Sequence, residues 1–165
     1  VVHREASRVV LAWAELVVVR LGRTSPSDVL DSDADLARFV PLLGPEGDDF
    51  DERYCSEGFG DGLVIANRLS VQPAFRGKGF GPLLLAFSLL DLAGDCGVAA
   101  LEPAPFELDG EDPTYVSEQQ RLQRLWTAFG FTIWDNGLAT IDLATNAVRE
   151  AAAGAKARLE RLLDE

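Results

Sequence analysis

A glycine-rich run in the middle of the chain has the composition of a phosphate-binding loop. The run reads Gln72-Pro73-Ala74-Phe75-Arg76-Gly77-Lys78-Gly79-Phe80-Gly81 and separates a β-branched apolar segment from a leucine-rich one. Because glycine has no Cβ atom, successive backbone N–H groups can converge on one anion. A helix that follows such a run adds its positive N-terminal dipole, and Arg76 and Lys78 add cationic side chains. The chemistry that this run indicates is the binding of a phosphate or diphosphate group.

Two common nucleotide-binding motifs do not fit the run. A Rossmann Gly-x-Gly-x-x-Gly motif would place its third glycine at position 82, where the chain has Pro82. A Walker A motif requires Gly-Lys-Ser/Thr, but here Gly79 follows Lys78. The spacing that remains is Gln/Arg-x-x-Gly-x-Gly, from Arg76 to Gly81. A tight strand-to-helix turn that binds no ligand is the alternative explanation of the glycines.

The loop and a later segment together resemble the GNAT family of N-acetyltransferases. The acyl-CoA-binding motif of that family has the spacing found from Arg76 to Gly81, here preceded by Leu69-Ser70-Val71. In the family a helix ends in an aromatic-x-x-x-Gly-Phe pattern before a hairpin, and Trp126-Thr127-Ala128-Phe129-Gly130-Phe131 stands in that place. The resemblance covers residues 63–143 and is looser over residues 8–62. It implies an α/β (α+β) fold with a GNAT-like mixed, mostly antiparallel central sheet flanked by helices on both faces.

The resemblance also implies how acetyl-CoA, the expected cofactor, would bind. The backbone amides of Gly77, Lys78, Gly79, Phe80 and Gly81 would hold the diphosphate, with Arg76 at its edge. The backbone of Leu69 and Val71 would pair with the pantetheine arm like an added strand, and amides near Val71 would stabilise the developing oxyanion. The strand around Leu101 would diverge from the strand at Leu69 and open a slot for the thioester.

Glu102 is the candidate general base for direct attack of an amine on the thioester. An alkylamine is largely protonated at neutral pH, because its pKa is about 10, and the attack therefore requires a base. Glu102 closes the second predicted strand beside the slot, and a purely structural role before Pro103 is the alternative. The tyrosine that usually protonates the departing thiolate in this family is replaced by Trp126, whose indole cannot act as that acid. Tyr115, predicted to lie on a loop, is the alternative acid.

Apolar patterns predict the elements that would position these groups. The predicted elements are a strand within Val9 to Leu21, a strand from Leu63 to Val71 with Leu63, Ile65, Asn67, Leu69 and Val71 on one face, a buried helix near Pro82, a strand from Val98 to Glu102 and a helix from about Ser117 to Phe129. Asn136-Gly137 predicts a hairpin with a type I′ turn. Residues 1–145 are expected to form the GNAT-like acyl-CoA-binding domain, and residues 146–165 a C-terminal helix that packs on it or on a partner.

The charge of the chain disfavours a nucleic-acid partner. There are 27 acidic and 15 basic residues, for a net charge of −12, which would repel a phosphate backbone. Eleven carboxylates lie between Asp28 and Asp61, and they form either a funnel for a cationic substrate or a solubilising surface. No apolar stretch reaches 18 residues, so no membrane partner is expected.

Cysteine and histidine usage narrows the chemistry further. Cys55 and Cys96 form no CxxC pair, which is typical of a reduced, cytoplasmic protein. Because His3 is the only histidine, neither a histidine-based triad nor a histidine-rich metal site is expected.

These features predict an acyltransferase that moves an acetyl group from acetyl-CoA to a primary amine. The expected acceptor is a small cationic molecule or a peptide, and the expected state is a monomer or homodimer. The alternative, suggested by Trp126, is a non-catalytic acyl-CoA-binding domain with an interaction or regulatory role.

Overall fold

A computed structural model describes residues 9–20, 25–47, 49–54, 60, 62–92, 94 and 96–163. The strands are β1 (Ala12–Arg20), β2 (Gly62–Val71), β3 (Cys96–Leu101), β4 (Thr132–Ile133) and β5 (Ala139–Asp142). The α-helices are α1 (Pro26–Asp31), α2 (Ala34–Ala37), α3 (Phe80–Leu92), α4 (Tyr115–Phe129) and α5 (Ala147–Leu163). The sequence-based predictions also used six residues that lie outside the described ones: His3, Leu21, Asp48, Cys55, Glu57 and Asp61.

One sheet contains all five described strands, in the order β1-β2-β3-β5-β4. The central pair, β2 and β3, is parallel, because the chain returns to the same edge through α3. The other three neighbouring pairs are antiparallel. The prediction of a mixed, mostly antiparallel sheet is therefore confirmed.

Helices cover both faces of this sheet, because the side chains of its central strands alternate between two apolar cores. Leu63 and Ile65 of β2 point to one core, which they share with Leu30 of α1 and Phe39 just after α2. The neighbouring residues Val64 and Ala66 point to the other core, which is built against three helices. The residues that those helices contribute to it include Leu85 and Leu89 of α3, Trp126 and Phe129 of α4, and Val148 and Ala152 of α5.

A β-bulge interrupts β2 at Asn67. Glu15 of β1 pairs with Arg68, while the next residue, Leu16, pairs with Ala66, so Asn67 is the extra residue. The bulge moves the following side chains to the opposite face, and Leu69 consequently packs against the core beneath α3 rather than with Ile65. The prediction that Ile65 and Leu69 share a face is wrong for this reason.

The hairpin between β4 and β5 is present, but its turn differs from the predicted type I′. Gly137 has a φ of 84°, whereas no described residue other than glycine has a positive φ, so Asn136 lacks the conformation that type I′ requires. The amide of Gly137 donates to the Trp134 carbonyl at 3.0 Å, and the Trp134 amide donates to the Leu138 carbonyl at 2.8 Å. These bonds fit a three-residue loop, in which a turn is followed by a glycine bulge.

The ends of α3, β3 and α4 determine which residues reach the site. Helix α3 begins at Phe80, so that Pro82 lies in its first turn, where a missing amide hydrogen costs nothing. Strand β3 ends at Leu101, one residue before Glu102. Helix α4 begins at Tyr115, two residues earlier than predicted, and ends at Gly130 in the left-handed conformation.

Candidate functional site

The parallel strands β2 and β3 separate halfway along the sheet. Their pairing ends at Ala66 and Leu101, although β2 continues to Val71 with β1 as its neighbour. The edge of β2 beyond Asn67 therefore faces a cleft of about 580 Å³. The floor of this cleft is formed by apolar side chains that include Leu85, Leu122, Leu125 and Trp126.

The backbone groups that β2 turns toward the cleft can be identified from its pairing with β1. The amide of Gln72 donates to the Leu11 carbonyl at 2.9 Å, so the backbone of Gln72 faces β1. Successive residues of a strand direct their amide and carbonyl groups to opposite sides. Ser70 therefore faces β1, and Leu69 and Val71 face the open edge. These are the two residues whose backbone the GNAT resemblance assigns to the pantetheine arm.

The glycine loop lies at the end of this open edge. Gly77 and Gly79 have φ angles of 77° and 91°, which side chains with a Cβ atom rarely adopt. The first hydrogen bond of α3 joins the Leu83 amide to the Gly79 carbonyl at 3.1 Å. The amides from Gly77 to Gly81 thus precede the hydrogen-bond ladder of the helix, at its positive end. This arrangement suits a phosphate or diphosphate group.

Gly81 allows the start of α3 to approach β2 closely. A Cβ atom at this position would lie 3.3 Å from Leu69 Cδ2 and 3.6 Å from Val71 Cγ2. Phe80, the first residue of the helix, packs edge-on against Phe75 with the ring centroids 6.0 Å apart. These contacts hold the loop against the end of β2.

The two cationic side chains of the loop are partly occupied by other groups. Arg76 donates from Nε to the Val71 carbonyl at 2.9 Å and from Nη2 to Glu107 Oε2 at 2.6 Å. The Lys78 ammonium lies 5.4 Å from the centroid of the Phe75 ring. The charge of Arg76 is thus shared with the Glu107 carboxylate, which the motif of the glycine loop did not indicate.

Glu107 connects the segment after β3 to the glycine loop. Besides Arg76, its carboxylate accepts a hydrogen bond from Ser70 Oγ at 2.9 Å. The bond from Arg76, and after it the bond from Ser70, holds the pKa of Glu107 below its usual range. Glu107 is therefore an anion at the same place where the loop would receive an anionic ligand.

Glu102 lies at the other end of the cleft, where the two strands separate. Its Oε2 atom is 2.9 Å from Arg38 Nη1, and both side chains are about one third exposed, at 33% and 32%. Arg38 Nη2 also donates to Asn67 Oδ1 at 2.7 Å, and Asn67 Nδ2 donates to Glu15 Oε1 at 2.6 Å. The candidate base is thus the last member of a chain of four side chains anchored on the bulge.

Trp126 and Tyr115 both line the cleft, in different ways. The Trp126 side chain is buried and packs edge-on against Phe129 and Phe131, with centroid separations of 5.7 and 6.0 Å. Trp126 is therefore part of the core as well as of the cleft floor. The prediction that Tyr115 lies on a loop is wrong, because Tyr115 is the first residue of α4. Its side chain is half-buried.

The lining of the cleft is basic, although the whole chain is acidic. Its charged residues are five arginines, Arg38, Arg68, Arg76, Arg121 and Arg158, and three glutamates, Glu102, Glu107 and Glu118. None of the described carboxylates from Asp28 to Asp61 lines the cleft. One of them, Asp35, forms an ion pair with Arg68, which does line it. Four of these arginines are paired with carboxylates, so Arg158 supplies most of the positive charge that remains available in the lining.

Four residues of the site were not found from the sequence: Arg38, Asn67, Glu107 and Arg158. Arg38 and Asn67 are 29 positions apart, and Arg76 and Glu107 are 31 apart. No spacing rule links residues at such separations, and each of these side chains belongs to a segment with no motif of its own. The one signal in the sequence was that Arg38 is one of two basic residues among the eleven carboxylates from Asp28 to Asp61.

Comparisons with protein-family models, with curated proteins and with solved structures found no match. Within the described part of the chain, no helix is both long and apolar enough to cross a membrane. The described residues also include no group of three or more His, Cys, Asp or Glu side chains that could hold a metal ion.

Proposed function

We propose that this cleft binds acyl-CoA and that the protein transfers an acetyl group from it to a primary amine. One observation carries the proposal: the glycine loop at the start of α3 adjoins the open backbone edge of β2. A diphosphate site and an extended, strand-like binding edge are thereby combined in one cleft. A nucleotide attached through a diphosphate to an amide-containing arm has the chemistry that both parts would recognise.

The residues that are present fit such a ligand. The cleft volume of about 580 Å³ lies within the usual range of small-molecule sites. A Cβ atom at Gly79 would lie 3.6 Å from Arg158 Cδ, and the φ of 91° at Gly79 disfavours most other residues. The amide and carbonyl of Leu69 and the amide of Val71 are directed to the side where a pantetheine arm could form strand-like hydrogen bonds.

Glu102 is the group of this chain best placed to accept a proton from the amine. When bound, acyl-CoA supplies the activated carbonyl as a thioester. Glu102 lies where β2 and β3 separate, and the ion pair with Arg38 fixes one of its two carboxylate oxygens. Arg38 itself is fixed by Asn67, so the direction of the Glu102 side chain is set by the bulge in β2.

Tyr115 is the candidate proton donor to the departing thiolate. The hydroxyl-bearing residues that line the cleft are Ser70, Thr114 and Tyr115. Ser70 donates to Glu107, and Thr114 Oγ1 donates to Asp112 at 2.6 Å. Among these described hydroxyl groups, the one of Tyr115 is therefore the one that makes no hydrogen bond to the protein. A thiol with a pKa of about 8.5 could also leave without assistance.

The acceptor in this proposal is the amine of a small cationic molecule or of a peptide. The described acidic residues between Asp28 and Asp61 do not line the cleft, so they provide no direct binding site for the amine. The carboxylates that could attract it at close range are Glu102, Glu107 and Glu118. Selection of a cationic acceptor would thus depend on these three glutamates.

The second candidate function is binding of acyl-CoA without turnover. Two points favour it: the resemblance puts Trp126 where the family usually has its acid, and Arg38 forms an ion pair with the candidate base Glu102. A protein of this kind would use the same loop and the same edge of β2 and would change its interactions when acyl-CoA binds.

Two measurements on the purified protein separate these functions. Unfolding temperature with and without coenzyme A tests binding, because a ligand that binds the folded state raises the midpoint. Release of free thiol from acetyl-CoA, with a panel of amines, tests turnover. We expect both a raised midpoint and amine-dependent thiol release. A raised midpoint without thiol release would identify the non-catalytic function, and an unchanged midpoint would contradict both.

A further inference from the structure

Arg158, near the end of α5, reaches back to the glycine loop across 81 positions of sequence. Its Nη2 atom donates to the Gly77 carbonyl at 3.0 Å. A Cβ atom at Gly79 would lie 3.6 Å from Arg158 Cδ, so the aliphatic part of the side chain lies along the loop. The guanidinium is therefore placed at the loop itself and lines the cleft.

Arg158 differs from the two cationic residues of the loop because no other charged or aromatic group in the described part of the chain is seen to engage its guanidinium. Arg76 is paired with Glu107, and Lys78 lies over the Phe75 ring. Among the described residues no carboxylate lies within ion-pair distance of Arg158. A guanidinium has five N–H donors, and a single bond to Gly77 leaves most of them available to an anion.

The position of Arg158 is fixed by the packing of its helix. Val148 and Ala152 of α5 are buried in the core beneath α3, whose first turn carries the loop. The helix thus brings Arg158 to the loop without a flexible connection. The bond to the Gly77 carbonyl in turn holds the exposed side chain, which lowers the cost of ordering it upon binding.

We propose that Arg158 is a diphosphate-binding residue and that α5 is a structural part of the donor site. This inference rests on the proposed function, since it concerns the same loop and the same ligand. Arg158 contacts the Gly77 carbonyl, in the loop whose amides would hold the diphosphate. We therefore expect it to bind the diphosphate rather than the 3′-phosphate of coenzyme A. Guanidinium–phosphate bonds are charge-assisted and frequently bidentate, which makes them stronger than bonds between neutral groups.

The first test compares two arginines of the same helix. Arg161 also lies on α5, but its Nε atom donates to the Ala157 carbonyl of its own helix at 3.3 Å. We expect Arg158→Ala to weaken coenzyme A binding by about tenfold or more, as loss of a charge-assisted bond would. Arg161→Ala removes the same charge and should change the dissociation constant less than about twofold, by screening of an exposed charge. Titration calorimetry of the full chain measures both.

A second pair of variants separates anion binding from support of the loop. Arg158→Gln keeps a donor for the Gly77 carbonyl and removes the charge, whereas Arg158→Lys keeps the charge and loses the planar fork. If Arg158 binds the diphosphate, the lysine variant retains more affinity than the glutamine variant, and the wild-type affinity depends more steeply on salt than that of Arg158→Gln. If glutamine restores full affinity, Arg158 only supports the loop and the proposal is wrong.

Dephospho-coenzyme A, which lacks the 3′-phosphate but keeps the diphosphate, identifies the phosphate involved. The loss caused by Arg158→Ala should be the same for both ligands. A loss that disappears with dephospho-coenzyme A would assign Arg158 to the 3′-phosphate and overturn the diphosphate assignment. Failure of the proposed function is distinct from either result, because wild-type protein would then bind neither ligand.

Discussion

The two ends of the cleft are built in different ways. At the proposed donor end, backbone amides, two glycines with positive φ and the open edge of β2 would form most of the binding surface, within residues 69–81. At the proposed catalytic end, the candidate base Glu102 is held by a chain of side chains, Arg38, Asn67 and Glu15, which come from three other segments. The first end is encoded mainly in one contiguous stretch of sequence, to which α5 adds Arg158, whereas the second end exists because the fold brings distant residues together.

This difference has consequences for how each end responds to change. A backbone site tolerates few substitutions, because any side chain at Gly79 must adopt an unfavourable φ and would contact the Arg158 side chain beside the loop. A side-chain network tolerates changes in shape better, but it loses its chemistry when a single functional group is removed. We therefore expect donor binding to fail through substitutions of glycine, and turnover to fail through substitutions that preserve shape.

The largest effect is expected at the donor end. Gly79→Glu should abolish measurable coenzyme A binding, which corresponds to a loss of about 100-fold or more from like-charge repulsion and steric overlap combined. The φ of 91° adds backbone strain of about 1–3 kcal/mol to the cost of the variant. Titration calorimetry with coenzyme A gives the affinity, and thermal unfolding gives the stability.

Gly137→Glu is the matched control for backbone strain. Gly137 has a φ of 84° and lies in the hairpin loop between β4 and β5, where a Cβ atom would meet no atom within 4 Å. This variant should lose a similar amount of stability and keep its affinity for coenzyme A. Equal affinity of Gly79→Glu and wild type would show that the glycine loop is not the diphosphate site.

The part of the fold that could be predicted from the sequence is the part encoded by local rules. Apolar alternation indicated β2, a proline in a first turn indicated α3, and Gly130 marked the end of α4. The glycine loop is also encoded locally, since its conformation depends on its own glycines and on the residues next to them. The mixed sheet followed from the order of these elements.

The incorrect predictions concern features that depend on tertiary contacts. The bulge at Asn67 is stabilised by Arg38 and Glu15, 29 and 52 positions away, and no property of β2 alone indicates it. The hairpin turn follows the register of β4 and β5 rather than the Asn-Gly preference for a type I′ turn. The ion pairs of Glu102 with Arg38 and of Glu107 with Arg76 were likewise beyond any spacing rule.

The next largest effect is expected at the catalytic end. Glu102→Gln keeps the shape of the side chain and removes its ability to accept a proton, so turnover should fall by about 100-fold or more. The affinity for coenzyme A should stay within about twofold of wild type, because the loop is untouched. Initial rates of thiol release at saturating amine, together with calorimetry, measure the two quantities.

Glu118→Gln provides the control for a loss of charge in the same cleft. Glu118 lines the cleft and pairs with Arg121 at 2.7 Å on the surface of α4, away from the point where β2 and β3 separate. At saturating amine this variant should keep nearly full turnover, because loss of a charge that attracts the acceptor raises KM rather than lowering kcat. If Glu102→Gln were as active as Glu118→Gln, Glu102 would have to be regarded as a structural partner of Arg38 and not as the base.

The smallest effect is expected where the segment after β3 meets the donor end. Glu107→Gln removes a carboxylate that neutralises Arg76 and repels an incoming phosphate. Surface ion pairs contribute up to about 1 kcal/mol, so the affinity for coenzyme A should rise by about two- to fivefold. Glu111→Gln, in the same segment and also exposed but outside the lining of the cleft, is the control and should leave the affinity unchanged. Weaker binding by Glu107→Gln would instead mean that Glu107 positions Arg76 for the ligand.

The pH dependence of stability provides an independent measurement of the same contact. Hydrogen bonds from Arg76 and then Ser70 lower the pKa of Glu107, so the folded state favours its charged form. The contribution of Glu107 to stability is therefore complete above the ordinary pKa of a glutamate and is lost as the pH falls through the lowered value. Glu107→Gln lacks this contribution at every pH, so its unfolding midpoint should lie below that of wild type at neutral pH and converge with it in acid. Parallel curves over the whole range would show that Glu107 is not held by Arg76 in solution, and the gain in coenzyme A affinity would then have no basis.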